Sequence, residues 1–413
     1  MKYILIFHAN LLYSNLPPDR HEFVIRHSYE KIHELFDKKF PQARYMFEAG
    51  GWTLERIAEL APDVLEKYKD AFKKNCEFMG SPYGHAILAN YPPEDGLKSL
   101  ELSMETYSRL LGFVPESASN PECGWNKHIP EIYVKAGFGN LLLDWESFLI
   151  TNYPEVRAVE YDPDRTRKDG KNLPYYPIDP DHQTLHFPVQ VAPGLKGVMR
   201  SDRICNELLW YFMGQSEEYD GEIPVEAPLS SIDHWSGKKK QGYLIPYAED
   251  AEYCGTTAYF YLKYYNEFRL FEDSPESLVR LEKIVSALLE RGELVTVSDV
   301  VRDLPTLDIE VKYEDGIAWH RTFADAWAST PWSKEINPLC YELHDKVIKA
   351  EKLARTEEEK ASVRRAWRYL MLAENSDGRW PPPPLAPADY NIEFCKKNIE
   401  LCRKELNWLK DSL

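Results

Sequence analysis

Cysteine is scarce in this chain. Its 413 residues hold seven cysteines, at 76, 123, 205, 254, 340, 395 and 402, an odd number with no Cys-x-x-Cys pair. That spacing excludes a zinc ribbon and argues against a disulfide framework, so a reducing cytoplasm is the expected setting. Long apolar runs are also missing. Nothing approaches the roughly 18 consecutive apolar residues of a membrane-spanning helix. The opening "MKYILIFHANLLYS" is broken by His8 before it could serve as a signal-peptide core, and reads as a buried first strand. Positive charge is in deficit, with 50 Lys and Arg against 67 Asp and Glu, a formal net charge of −17. Such a surface repels phosphate backbones and anionic lipid, which argues against nucleic-acid or membrane partners. It tolerates a neutral partner such as a carbohydrate, and leaves homo-oligomerisation open. Internal repeats are absent, and "PPPPLAP" at 381–387 is the single low-complexity patch.

What is present is alternation. To about residue 300, short apolar runs such as "YILIF", "ARYMFEAG", "NLLLD", "GYLIPYAED" and "ELVTV" alternate with helical patterns. "HEFVIRHSYEKIHELFDKKF" gathers Phe23, Val24, Ile32 and Phe36 near one face. Helical patterns are also expected around 53–79, 93–111, 127–137 and 274–292, the last with Ser274 as N-cap. This order predicts an α/β fold with a mainly parallel sheet closed towards a barrel. Residues 151–240, rich in Pro, Asp and Tyr, are expected to form long loops on that scaffold. After about 305 three long helical patterns follow. The expected organisation is a barrel over 1–304 and a helical bundle domain over 305–413 that contributes to the active-site cleft.

In parallel α/β barrels the chemistry sits at the C-terminal ends of the strands. Functional groups should therefore follow apolar runs. His8 follows "YILIF", Glu122 follows "GFV" at a short distance, Asp144 closes "NLLLD" and Asp250 follows "GYLIPY". Two carboxylates on different strands are the parts that glycosidic cleavage needs: one at the anomeric carbon, one to protonate the leaving oxygen. Taken singly, each acid is more often a helix cap or a solvated loop residue.

The motifs around them resemble glycoside hydrolase family 57. "NPECGWN" with Glu122 looks like the family's nucleophile motif, and "PYAEDAEYCG" with Asp250 like its acid/base motif. "FHANLLYS", "SPYGHAILANYP", "MRSDRICNELLWYF" and "LAENSDGRW" are similar to its remaining regions, in the family's order, from residue 5 to 380. The resemblance implies an incomplete (β/α)7 barrel followed by a C-terminal helical domain, and a retaining α-glycosidase or glucanotransferase that needs no cofactor. It implies Glu122 as nucleophile and Asp250 as general acid/base, with carboxyls about 5–5.5 Å apart. His8, His85, Glu252, Asp377 and Trp380 would hold the sugar; apart from the resemblance, Trp125, Trp145 and Trp235 stand as candidate aromatic platforms. The chain departs from the family at three places. His8-Ala9-Asn10 replaces His-Gln-Pro, Ser119 stands where transferring members carry an aromatic three residues before the nucleophile, and Thr257 where they carry another seven after the acid/base.

Those departures keep an α-galactosidase-like specificity in view. A metal-dependent polysaccharide deacetylase using His182, His186 and Asp144 is a second reading, and a non-catalytic carbohydrate-binding protein a third. Cys123 and Cys254, beside the two acids, read as small packing residues. "GFGNLL" at 137–142 reads as a helix C-cap entering a strand, not a dinucleotide loop.

Overall fold

A computed structural model describes residues 1–156, 178–214, 222–258, 271–318, 327–380 and 387–412. Seven parallel strands form the scaffold: β1 (Lys2–Ala9), β2 (Tyr45–Gly50), β3 (Cys76–Ser81), β4 (Ser117–Ala118), β5 (Asn140–Asp144), β7 (Leu195–Arg200) and β8 (Tyr243–Asp250). Their order is β8-β1-β2-β3-β4-β5-β7, with β6 (Val189–Ala192) antiparallel on β7 and the two-residue strand Glu293–Leu294 beside the start of β1. Among the described residues no backbone ladder joins β7 to β8, so the barrel is incomplete, as the motifs implied. Side chains bridge that seam instead. The Met199 amide donates to the Tyr243 hydroxyl at 2.7 Å, and Arg200 pairs with Glu249.

The strands read as unbroken apolar runs because both faces are covered. Tyr3, Leu5 and Phe7 point out against the helices, whereas Ile4 and Ile6 point in. Met46, Met79, Leu142, Val198 and Ile245 join them and fill the barrel. This two-residue alternation carries the inner row upward to His8 on β1 and Glu48 on β2. On β8 the phase shifts once. Tyr3 pairs with Leu244 but Leu5 with Tyr247, so β8 carries one extra residue, a bulge at Ile245–Pro246 where proline has no amide to lose. Above the bulge Ala248 packs on the inner cluster and Asp250 pairs with His8.

Several expectations are revised. The helical pattern at 53–79 breaks into helices Gly51–Leu60 and Pro62–Phe72, and its last residues enter β3. The 151–240 stretch is not only loops: it holds β6, the barrel strand β7 and helices Asp202–Met213 and Glu226–Trp235. Residues 157–177 and 381–386 of the loop and proline readings lie outside the described residues. The segment 305–318 forms no helix; Tyr313 donates its hydroxyl to the Asp144 carbonyl at 2.9 Å. Helices Pro331–Leu353, Glu357–Ala373 and Asp389–Glu405 then pack on one another. Ser274 stands at the start of helix Pro275–Arg291, without a side-chain capping bond. Gly137 takes φ 96° as the C-cap before β5, as "GFGNLL" suggested. All seven cysteines are free thiols, and among the described residues no helix is long and apolar enough to cross a membrane.

Candidate active site

Strand register sets out the site. Asp250 pairs with His8, His8 with Glu48, and on the far side Asp144 with Arg200, all at the C-terminal rim. Above them opens a cleft of about 720 Å³, its open mouth included. His8, His85, Glu122, Asp250, Asp377 and Trp380 line it. Glu48, Asn10, Tyr13, Arg200 and Glu249 line it too, and were not among the residues singled out as a site.

Glu122 reaches the cleft from a tight turn, Pro121–Cys123, just after β4. Its backbone sits at φ 53°, ψ 16°, and Cys123 follows at φ 48°. A left-handed conformation at a residue with a Cβ costs about 1–3 kcal/mol and persists only where its surroundings impose it. Here Asn120 donates its side-chain amide to the Gly124 carbonyl at 2.6 Å, and Tyr133 donates to the Ser119 carbonyl at 2.9 Å. A Cβ on Gly124 would lie 2.8 Å from the Ile87 side chain, so glycine lets the turn close. Burial, reinforced by Asp377, Asp250 and Glu249, pushes the Glu122 carboxyl well above its ordinary range; Arg200 opposes them.

Asp250 accepts a hydrogen bond from the Tyr13 hydroxyl, which lies 2.7 Å from that of Tyr253. Its own carbonyl accepts from Tyr247 at 2.6 Å. Beside it, burial pushes Glu249 up to about 8, against the pull of Arg200. Arg200 also faces Asp144 at 3.9 Å and Asp202 at 4.0 Å. One guanidinium thus sits among several acids at the seam of the barrel.

The opposite wall joins barrel and C-terminal segment. His8 lies against Glu48 through Nδ1 and tilts over His85, with ring centroids 4.7 Å apart. Ser376 donates to the His85 carbonyl at 2.6 Å, and Asn375 to that of Gly84 at 2.9 Å. Asp377 accepts from the Asn10 side chain and the Ser14 amide, each at 2.8 Å. Asn10, where the family motif has proline, therefore ties the first loop to the C-terminal acid. Trp380 meets Trp327 edge to face at 6.0 Å.

Two expected sugar contacts stand elsewhere. Glu252 is fully buried behind the cleft, accepting from the Asn10 amide at 2.9 Å and from the Tyr29 hydroxyl. The turn Ala251–Tyr253 ends the extended strand, so the alternation that would set Glu252 on the face of Asp250 is lost. Trp125 is 6 % exposed, its ring packed on Tyr313 and its amide bonded to the Ile317 carbonyl at 2.8 Å. Trp145 and Trp235 pack edge to face in the core, 5.7 Å apart. The residues of the deacetylase reading do not converge. His182 contacts Thr184 and Tyr153 through its two ring nitrogens, His186 the Tyr243 and Pro180 carbonyls, and Asp144 caps helix Trp145–Asn152. No group of three metal-ligating side chains occurs among the described residues.

Comparison with known proteins agrees with this architecture. The model of Glycosyl hydrolase family 57 matches residues 2–313. The α-amylase AmyC of Thermotoga maritima superposes with a TM-score of 0.66 at 14 % identity, over 100 % of this chain and 94 % of that one. The GH57-type branching enzyme of Pyrococcus horikoshii gives 0.64 at 11 %, over 98 % and 88 %. The GH57 branching enzyme of Thermococcus kodakaraensis, solved with glucose, gives 0.66 at 11 %, over 98 % and 87 %. At these identities the likeness is one of fold. A search of curated protein sequences finds no significant match. The family match spans the barrel and every strand that carries a cleft acid, and on that ground the chain belongs to glycosyl hydrolase family 57, whose members break or transfer glycosidic bonds.

Proposed function

We propose that the protein is a retaining α-glycosidase that hydrolyses or transfers α-linked glucans by double displacement, with Glu122 as nucleophile and Asp250 as general acid/base. The observation that carries the reading is that these two carboxyls, from different strand ends, line a single cleft at the C-terminal rim. The activities named for the amylase and the branching enzymes of the same fold support the choice of α-glucan.

Glu122 attacks the anomeric carbon while Asp250 gives its proton to the departing glycosidic oxygen. Water or a sugar hydroxyl then returns a proton to Asp250 and releases the sugar from Glu122, with net retention. Burial among acids favours a proton on Glu122. The arriving glycosidic oxygen draws a proton from Asp250, which takes up the one Glu122 gives up. Arg200 stabilises the Glu122 anion that remains. Tyr13 holds the Asp250 carboxyl in place. The proposal includes a C-terminal unit, 305–413, that reaches the cleft through Asp377 and Trp380.

Product chromatography on malto-oligosaccharides, α-glucosides and α-galactosides, without added metal, tests this. Wild type should convert at least one substrate and E122Q at least about 10³-fold more slowly. Turnover limited to α-galactosides would keep the mechanism and replace the sugar, in line with Ser119 and Thr257. Sugar binding without turnover, unchanged in E122Q, would leave a non-catalytic binding protein.

A further inference from the structure

His8 and His85 each have one ring nitrogen committed to the protein. His8 presents Nδ1 to Glu48, a residue 1 % exposed whose Oε1 is buried with no partner. A carboxylate so enclosed needs a donor, and the Nδ1 hydrogen of His8 supplies it. His85 Nδ1 lies 3.1 Å from the Ser376 Oγ. That hydroxyl spends its single hydrogen on the His85 carbonyl, 2.6 Å away, so its oxygen must accept from His85 Nδ1–H. Asp377 Oδ2, 3.6 Å from the same nitrogen, favours the same tautomer. Among the described residues neither Nε2 has a partner, and both rings line the cleft, tilted 31° to one another. Burial and the neighbouring His85 hold His8 well below the ordinary imidazole range, which keeps it neutral.

We infer that Glu48 is a positioning residue which, together with Ser376, pins Nδ1 of two neighbouring imidazoles so that their Nε2 atoms accept hydrogen bonds from two free hydroxyls of one sugar unit. The inference rests on the proposed glycosidase reading and specifies its substrate. The bound unit must be unsubstituted at both hydroxyls. A ring methylated or acylated there leaves two buried acceptors unpaired, and a site built to bind hydroxyls rejects such analogues strongly.

Long-range ¹H–¹⁵N spectra of protein labelled at histidine read the tautomers directly, with H8Q and H85Q assigning the two signals. Wild type and E48Q, whose amide oxygen still accepts, should show Nδ1–H at His8. E48L should shift His8 towards Nε2–H and lower kcat/KM by about 10- to 100-fold, the worth of one hydrogen bond in such a site. S376A should move the His85 signal alone. A wild-type His8 protonated at Nε2, or an E48L spectrum identical to wild type, would overturn the inference. If E48L does not fold, the wild-type, E48Q and S376A spectra decide it. Because the spectra need no turnover, failure of the glycosidase reading stays distinguishable from failure of this one.

Discussion

Glu122, Cys123 and His85 all hold left-handed backbone at the cleft, at φ 53°, 48° and 57°. Three such residues around one cavity mark where folding energy is diverted into aiming side chains. The aim has an electrostatic counterpart, since Glu122 is pushed up by burial and by its neighbours Asp377, Asp250 and Glu249. If the working state needs one proton on the Glu122–Asp250 pair, kcat/KM should fall as pH rises past that proton's release. This alkaline limb should lie above the ordinary carboxylate range. Above about pH 8, where Glu249 has itself ionised, replacing it by Gln removes one negative neighbour, so that part of the limb moves to lower pH; pH–rate profiles of both proteins check the sign. Glu122 and Asp250 were legible because each follows an apolar run. Glu48 after "YMF" and Arg200 after "GVM" obey the same rule, and both lie in segments that drew attention, "ARYMFEAG" and "MRSDRICNELLWYF", yet neither was given a role there. Their importance comes from register, which pairs Glu48 with His8 and Arg200 with Asp144, and register is a property of two strands.

At the scale of elements, the helix that leads into the C-terminal segment 374–380 meets the barrel backbone at a close approach. A Cβ on Gly84 would lie 2.3 Å from the Met371 carbonyl oxygen, backbone against backbone. G84A should therefore push helix Glu357–Ala373 and the Ser376–Asp377 contacts away from His85, at about 1–3 kcal/mol. Lowered Tm together with raised KM for the substrate found by chromatography is the expected pair of results. An unchanged KM would mean that the segment does not complete the cleft. The long helices here were readable from periodicity over many residues. The strands β3 and β7 were not. "CEFMGS" is six residues long and runs on directly from a helical pattern, and β7 is buried in a stretch whose prolines and aspartates signal loops. The barrel needs both, so tertiary pairing decides what local composition leaves open.

The whole molecule carries its acid excess inward as well as outward. Burial raises Glu252 to about 8, helped by Asp250, and Glu249 likewise to about 8. A carboxyl raised in the folded state contributes stability in its protonated form. That contribution is complete below the unfolded value near 4.5 and is lost as pH climbs through about 8. Tm should thus decline between about pH 5 and about pH 8, and E252Q, which keeps an acceptor for Asn10 and Tyr29, should flatten the decline. Thermal unfolding of the two proteins across that range checks it; parallel curves would count against a titrating Glu252. The global fold was legible because strand–helix alternation is a long-range rhythm. The bulge in β8 was not, since a single inserted residue leaves no trace in composition. Yet that residue sets parity. Counted from the base of β8, it turns the even-numbered Asp250 towards the cleft beside His8 and leaves its odd-numbered neighbour to Arg200. Without the bulge, the same eight residues would set the longer Glu249, already paired with Arg200, opposite His8; a strand one residue shorter would need no bulge to keep Asp250 there. In this barrel the identity of the acid beside His8 is a matter of counting.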